Sequence, residues 1–247
     1  MNKGKWFLER KVLSALLPKQ GNFNYILPNG CSVELYYSES LGSRCLAYGR
    51  FEIAEIEYIQ NNFRGVGLAI DVGANVGMYT LTLSNVVGDH GNVWAFEALP
   101  QNVSRLKSNI YNNNLNNVEV FPLALGDDSG SVDFLVATDG AYGSLISVQD
   151  NKETNQTIKV QVEKLDVVWG NSKKPKVDFI KIDVEGAEVG VLKGAINLLQ
   201  TCKPVILIEA NSNTHLNEIE SVLQPIGYRW EQPKGFEKQN YIFSHKN

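Results

Sequence analysis

Short apolar runs that end in an acidic residue recur along the chain, at residues 68–71, 92–97, 177–183 and 204–209. The segments between them carry apolar residues every three or four positions, which is the spacing of an amphipathic helix. Alternating strands and helices favour a parallel sheet with helices on both faces. The pattern therefore predicts an α/β fold, and it contains neither internal repeats nor a second core.

The N-terminal part departs from this alternation. Residues 23–27 and 32–37 are β-type runs joined by Pro-Asn-Gly, which predicts a hairpin. A third short run, residues 44–48, is interpreted as a strand that extends it. We therefore expect residues 1–50 to form a cap and residues 51–247 to form one globular domain.

Two helices are predicted around this hairpin. Residues 1–17 combine four basic side chains with apolar residues at roughly helical spacing. This predicts an amphipathic helix that packs on the domain or touches an anionic membrane surface. The second helix, residues 51–63, carries Glu52 and Glu55, which are either solvated or reach the ligand site.

The C-terminal part returns to strand and helix alternation. Helices are predicted at residues 187–199 and 214–223. Two short runs, at 227–230 and 241–243, are interpreted as a final hairpin. Such a hairpin makes the sheet mixed rather than wholly parallel.

A glycine-rich turn follows the strand at residues 68–70 and leads into a helix. Glycine at positions 73 and 77 permits positive φ angles and close approach of the backbone to a ligand. An acid at position 71 would repel the pyrophosphate of a dinucleotide, whereas it suits a ligand with an ammonium and a sulfonium group. The candidate cofactor contacts of this turn are Asp71, Gly73, Ala74, Asn75 and Gly77.

The next apolar run ends in Glu97, 20 residues after Gly77. An acidic side chain at this distance can accept hydrogen bonds from both hydroxyls of a ribose. Together with Asp71, it favours S-adenosylmethionine over NAD as the ligand.

The loop after the third predicted strand, residues 118–122, would lie beside the adenine of such a ligand. Its candidate contacts are Ala124, Leu125 and Asp127. Residues 131–162 then contain three β-like runs, which we interpret as an insertion. The loop at 139–144 is expected to overhang the carboxyl edge of the sheet and to meet cofactor or substrate.

The second focus of the chain is Asp183, at the end of the fourth apolar run. In an open α/β sheet, ligands bind at the carboxyl ends of the strands where strand order reverses, so Asp183 and Asp71 are expected to meet there. A neutral alcohol acceptor would need a general base, and the candidates are Asp183, Glu209 and His215. Asp183 is also a candidate cofactor contact, and with Glu209 it could hold a metal ion, although no pattern fixes one.

Composition excludes several classes of function. The net charge of −4 gives no general attraction to nucleic acid. No stretch reaches the ~18 to 20 apolar residues of a membrane span. Cys31, Cys45 and Cys202 are odd in number and scattered, so no disulfide framework is indicated and a cytoplasmic location is expected.

Several of these motifs together resemble the FkbM family of S-adenosylmethionine-dependent methyltransferases. The resemblance covers roughly residues 51–209, and its most family-specific part is the motif from Asp183 to Glu188. The motifs are Asp71-Val-Gly-Ala-Asn-Val-Gly77, Phe96-Glu97-Ala98-Leu-Pro100, Ala124-Leu-Gly-Asp127, Lys164-Leu-Asp166 and Phe179-Ile-Lys-Ile-Asp-Val-Glu-Gly-Ala-Glu188.

The resemblance implies a class I, Rossmann-like methyltransferase fold with strand order 3-2-1-4-5-7-6. It also implies S-adenosylmethionine as cofactor, with Ala98 beside Glu97 in the cofactor site, and O-methylation of a small molecule, often a sugar hydroxyl of a glycan or glycosylated metabolite. Some relatives methylate peptide side-chain amides instead. An NAD-dependent oxidoreductase and a non-catalytic carbohydrate-binding module share the fold and stay open, as does the oligomeric state.

Overall fold

The structure is a computed structural model that describes residues 20–65, 67–136, 143–145 and 156–245. The helix expected at residues 1–17 lies outside this part. The elements of the first half are β1 (Asn22–Ile26), β2 (Ser32–Tyr36), α1 (Ser40–Tyr48), α2 (Ile53–Asn62), β3 (Leu68–Val72), α3 (Met78–Val87), β4 (Asn92–Phe96), α4 (Pro100–Asn112) and β5 (Val118–Phe121). The elements of the second half are β6 (Ala124–Leu125), β7 (Gly130–Val136), β8 (Gly143–Leu145), β9 (Gln156–Glu163), α5 (Leu165–Asn171), β10 (Phe179–Ile182), α6 (Glu188–Lys193), α7 (Ile196–Cys202), β11 (Val205–Glu209), α8 (Asn213–Leu223), a 3₁₀ turn (Gln224–Ile226), β12 (Tyr228–Glu231) and β13 (Asn240–His245).

Seven strands form the central sheet, in the order β12-β13-β11-β10-β3-β4-β5. Numbered along the chain among themselves, they have the order 3-2-1-4-5-7-6. β13 runs antiparallel to both of its neighbours, and the other pairings are parallel. The predicted mixed α/β sheet of the class I methyltransferase type is thereby confirmed.

Helices cover both faces of this sheet. Leu68, Ile70 and Val72 of β3 pack in the apolar cluster that contains α7 and α8, whereas Ala69 packs in the cluster that contains α2 and α3. Successive side chains of a strand point to opposite faces, so β3 is buried on both sides. A strand covered on both faces reads as a continuous apolar run, which is why the sequence pattern locates it.

The N-terminal hairpin forms as predicted, but residues 44–48 belong to helix α1 and not to a third strand. Leu41 and Cys45, four positions apart, are both buried against the apolar cluster under the hairpin. Gly49, with a φ of 64°, ends the helix by donating its N–H to the carbonyl of Cys45. A run of five residues was too short to separate the two periodicities.

Side chains of α4 hold the hairpin on the domain. Asn113 exchanges two hydrogen bonds of 2.7 Å with the backbone of Ser32, and Asn109 accepts the N–H of Glu34 at 3.0 Å. Arg105 and Glu39 form a nearly buried ion pair of 2.6 Å. The outer edge of β2 is therefore covered by a helix instead of another strand.

The single helix expected at residues 187–199 is two helices, α6 and α7, because a glycine separates them. A Cβ atom at Gly194 would stand 2.0 Å from the carbonyl oxygen of Gly126. Helix α5 was not expected at all. Its Asp166 accepts the N–H groups of Asn197 and Leu198 and so caps the start of α7.

The insertion is a small four-stranded sheet of order β6-β9-β7-β8. Strands β7 and β9 supply the core of this sheet, with Phe134 and Val160 packed on Leu99. The loop expected to overhang the site, residues 139–144, lies largely outside the described residues.

Candidate active site

A cavity of about 400 Å³ opens at the carboxyl ends of the central strands. Four residues at the ends of neighbouring strands line it: Gly73 after β3, Glu97 after β4, Asp183 after β10 and Glu209 at the end of β11. Strand order reverses between β3 and β10, so this is where an open α/β sheet binds its ligand.

The glycine turn forms one wall of the cavity. Gly73 has a φ of 81°, and a Cβ atom there would stand 1.9 Å from the carbonyl oxygen of Asp183. The N–H groups of Gly73 and Ala74 donate to the carbonyl of Phe96 at 3.0 and 2.9 Å. Gly73, Ala74 and Asn75 line the cavity, whereas Gly77 packs on Leu106 and Leu81 behind it.

Glu97 lines the cavity just after β4. Its two carboxylate oxygens accept the N–H groups of Asn75 and Leu99, each at 2.8 Å. Burial raises the pKa of Glu97 in spite of these donors. A carboxylate has about four acceptor positions, so acceptor capacity for a ribose hydroxyl is left.

The predicted adenine end has apolar walls. Ala98, Ala124 and Leu125 line the cavity, together with Leu123 and Phe134. Asp127 does not line it. It lies beside Gly190 of α6 instead.

Asp71 does not reach the cavity, contrary to the argument that matched it to a cationic ligand. Its side chain is fully buried, accepts the hydroxyl of Thr80 at 2.6 Å and lies 3.8 Å from the Nζ of Lys181. Burial raises the pKa of Asp71, and the charge of Lys181 opposes this rise. Asp71 therefore acts on the site through Lys181.

Lys181 is the buried cation of the site. Its Nζ lies 3.3 Å from Asp183 and 3.5 Å from the carbonyl of Gly73. Burial alone would lower the pKa of Lys181, but the charges of Asp183, Asp71 and Glu52 raise it overall. The ammonium group is therefore protonated at neutral pH.

Asp183 and Glu209 are joined by a hydrogen bond between their carboxyl groups. Burial by itself would raise the pKa of Asp183, but Lys181 and the bond from Glu209 lower it overall. Burial and the charge of Asp183 raise the pKa of Glu209 to about 9. At neutral pH the pair therefore holds one proton, and Asp183 is the ionised partner.

Two more carboxyl groups line the cavity. Burial raises the pKa of Glu52 to about 7, with a further rise from the charge of Asp183, and Tyr79 donates its hydroxyl to Glu52 at 2.5 Å. Burial and the charges of Asp183 and Glu188 raise the pKa of Glu185 to about 7. The sequence left open whether Glu52 and Glu55 are solvated or reach the ligand site. Glu52 lines the cavity, whereas Glu55 is buried and accepts a hydrogen bond from the amide of Asn240.

His215, a candidate base, does not line the cavity. Its Nε2 lies 3.3 Å from a carboxylate oxygen of Glu188, and its Nδ1 accepts the N–H of Asn211 at 3.4 Å. Glu188 in turn accepts the N–H groups of Val184 and Gly186 before α6. The ring thus supports the turn behind the site.

Carboxylate oxygens of Asp183, Glu188 and Glu209 lie within 4.8 Å of one another, a spacing that a divalent cation could use. Lys181 and the proton of Glu209 already neutralise part of this charge, as described above. Asp183 and Glu209 therefore form a pair of carboxyl groups that share one proton.

The residues present fit S-adenosylmethionine. Only a residue without a Cβ fits at Gly73, Glu97 keeps acceptor capacity for a ribose, and apolar residues face the adenine end. Among the described residues, five carboxyl groups and two cationic side chains, Arg44 and Lys181, line the cavity. This charge suits a ligand with a sulfonium and an ammonium group.

The sheet order and the cavity at its carboxyl edge are those of the class I, Rossmann-like methyltransferase fold. The model of the Methyltransferase FkbM domain matches residues 71–230, and the chain belongs to the FkbM methyltransferase family. Within the described residues, no helix is both long and apolar enough to cross a membrane.

Two curated relatives and one solved structure are similar to the chain. Hexuronic acid methyltransferase AglP of Haloferax volcanii is 30% identical over 155 residues, 62% of this chain and 59% of that protein. Methyltransferase 1 of Beauveria bassiana is 29% identical over 143 residues, 51% of this chain and 57% of that protein. The chain therefore spans less than two thirds of the length of these relatives.

The solved structure is that of the methyltransferase FkbM from Methylobacillus flagellatus KT. It has a TM-score of 0.52 and 18% identity, and the match covers 98% of this chain and 59% of that one. At this identity the likeness supports the fold alone.

Proposed function

We propose that the protein transfers a methyl group from S-adenosylmethionine to a hydroxyl of a sugar, on a glycan or a glycosylated metabolite. The name of the Haloferax relative, a hexuronic acid methyltransferase, supports a sugar acceptor. The observation that carries the chemistry is the pair of neighbouring carboxyl groups of Asp183 and Glu209 at the cavity wall, with the Nζ of Lys181 3.3 Å from Asp183.

Asp183 is the general base of this proposal. S-adenosylmethionine, when bound, supplies an electrophilic methyl group on a sulfonium. Asp183 would accept the proton of the acceptor hydroxyl as its oxygen takes the methyl group and S-adenosylhomocysteine is released. A positioned base contributes ~10² to 10⁴ in rate. Lys181, 3.3 Å away, keeps Asp183 ionised beforehand.

Glu209 positions this base. Its proton is shared with Asp183, and the amide of Gln239 donates to its other side. Because Glu209 is protonated at neutral pH, its single O–H group is used in the bond to Asp183, and this bond orients the base. His215, behind the wall, is not assigned a chemical step.

The nucleoside is proposed to lie along the described wall. Gly73, Ala74 and Asn75 would face its amino-acid side, and Glu97 would accept from the ribose. Ala98, Ala124 and Leu125 would face the adenine.

The test uses a donor with an isotopically labelled methyl group and a panel of saccharides, with and without uronic acids, beside asparagine-containing peptides. Asp183→Asn keeps the shape and removes the base, so turnover with saturating substrates should fall ~10²-fold or more. Asp128→Asn, an exposed acid outside the cavity, is the matched control. The Asp128 variant should keep wild-type turnover.

The chemical nature of the labelled product identifies the acceptor as a sugar or a peptide. A methyl ether on a monosaccharide after hydrolysis is the expected result. An N-methylated asparagine in a digested peptide, without labelled sugar, would contradict the sugar acceptor. Near-wild-type turnover of Asp183→Asn would remove Asp183 from the role of base.

We also propose a cytoplasmic location for the enzyme. Cys31, Cys45 and Cys202 are all unpaired. Free thiols are typical of a reducing compartment. Labelling of all three thiols under denaturing conditions, in protein purified without reductant from its native host, would support this location, and a disulfide in that protein would contradict it.

A further inference from the structure

Glu52 enters the cavity from the junction between α1 and α2. The chain reverses at Gly49, and Glu52 then has φ 37° and ψ 48°, a left-handed conformation that is uncommon for a residue with a Cβ. Such conformations persist where the surrounding structure imposes them, and they cluster at ligand sites. Here the conformation accompanies a side chain that lines the cavity.

A hydrogen bond holds one of the two carboxylate oxygens of Glu52. Its Oε2 accepts the hydroxyl of Tyr79 at 2.5 Å, and Tyr79 lies in the first turn of α3, directly after the glycine turn. The ring of Tyr79 is itself fixed by Lys181, whose Nζ lies 4.9 Å from its centre. Within the described residues, Oε1 of Glu52 has no hydrogen-bond partner.

Asp183, Glu209 and Glu97, three other acids of the cavity, are engaged by neighbouring groups. Asp183 bonds Lys181 and Glu209, and Glu97 accepts two backbone N–H groups. Glu185 stands next to the like charges of Asp183 and Glu188. Glu52 therefore offers a preorganised carboxylate oxygen to the cavity, held by a tyrosine of the helix that follows the glycine turn.

We propose that Glu52 binds the α-ammonium group of the amino-acid portion of S-adenosylmethionine. This inference rests on the assigned cofactor and is independent of the acceptor. A cation beside Glu52 also accounts for an acid at this position, since burial and the charge of Asp183 raise the pKa of Glu52 to about 7. An ammonium group favours the ionised form.

Titration calorimetry with three probes tests the inference. S-adenosylmethionine and S-adenosylhomocysteine carry the ammonium group, whereas 5′-methylthioadenosine has the same nucleoside and no amino acid. In Glu52→Gln, the affinity for S-adenosylmethionine and S-adenosylhomocysteine should fall about tenfold or more. This is the loss in affinity that corresponds to one hydrogen bond between charged groups. Affinity for 5′-methylthioadenosine should stay within about twofold of wild type.

Glu57→Gln is the matched control, because Glu57 lies on the same helix and is exposed. It should change none of the three affinities. Tyr79→Phe removes the hydroxyl that holds Glu52 and should reproduce the selective loss in a weaker form. This second variant keeps the test decisive if Glu52→Gln does not fold.

Two results would overturn the assignment to the ammonium group. Unchanged affinity of Glu52→Gln for S-adenosylmethionine would show that Glu52 does not contact the cofactor. An equal loss for all three probes would show that Glu52 only shapes the cavity. Wild-type protein that binds none of the probes would instead refute the cofactor on which the inference rests.

Discussion

Replacing Lys181 by methionine should destabilise the protein strongly. Lys181 is 7% exposed and Asp71 fully buried, and 3.8 Å separates the Nζ from the carboxylate. Methionine keeps the apolar stem of the lysine but leaves Asp71 as an uncompensated buried acid. Breaking a buried ion pair in this way costs about 3 to 5 kcal/mol. For a chain of this size, we expect a fall in Tm of about 6 to 20 °C.

The loss should depend on pH. Burial raises the pKa of Asp71, and Lys181 opposes the rise, so Asp71 in Lys181→Met will have a still higher pKa. A carboxyl group whose folded pKa exceeds its unfolded value stabilises the fold at low pH and loses this contribution as pH rises. The deficit of Lys181→Met should therefore be smaller at pH 5 than at pH 8.

Urea denaturation at both pH values measures these differences. Lys176→Met is the control: its ion pair with Asp178 is shorter, 2.6 Å, but Lys176 is 78% exposed. An exposed pair contributes about 0 to 1 kcal/mol. Adding Asp71→Asn to Lys181→Met removes the stranded charge and should recover part of the stability.

The reasoning is refuted if Lys181→Met is as stable as wild type, or if the double variant is no more stable than the single one. A loss for Lys176→Met as large as that for Lys181→Met would show that burial does not decide the strength of these pairs.

Three further predictions follow from the site. Glu97→Gln should weaken binding of S-adenosylmethionine at least tenfold in calorimetry, because hydrogen bonds to a charged acceptor contribute ~1.5 to 3 kcal/mol each; unchanged affinity would place the ribose elsewhere. Gly73→Ala should unfold at a clearly lower temperature, since its Cβ would stand 1.9 Å from the Asp183 carbonyl, and wild-type Tm would contradict this. Because the pKa of Glu209 is raised to about 9, wild type should lose stability relative to Glu209→Gln as pH rises from about 5 to 9; a constant Tm difference between the two would disprove the raised pKa.

The central fold followed from the sequence because its signals are local. A strand buried on both faces is a continuous apolar run, and the turn at Gly73 requires a residue without a Cβ. Residues at strand ends, such as Asp183 and Glu209, then share one edge of the sheet whatever the details of packing. Their convergence was therefore predictable.

Features that depend on packing were not predictable. Residues 44–48 are β-type in composition but form α1, because Leu41 and Cys45 are buried on one side of a helix. His215 is near Glu209 in sequence, but the rotation of α8 turns its ring to Glu188. Nothing in the sequence distinguished Glu52 from Glu55, and only the structure shows which one enters the cavity.

The hydrogen bonds that cover the edge of β2 have a consequence for synthesis of the chain. Asn109 and Asn113 lie 75 and 81 residues beyond the groups they bind on Glu34 and Ser32. At about 5 to 20 residues per second, the ribosome needs roughly 4 to 16 s to make that length. For this interval the nascent hairpin has an uncovered strand edge, which is a template for pairing with another chain. Slow translation between β2 and α4 would prolong this exposure without any change in the finished protein.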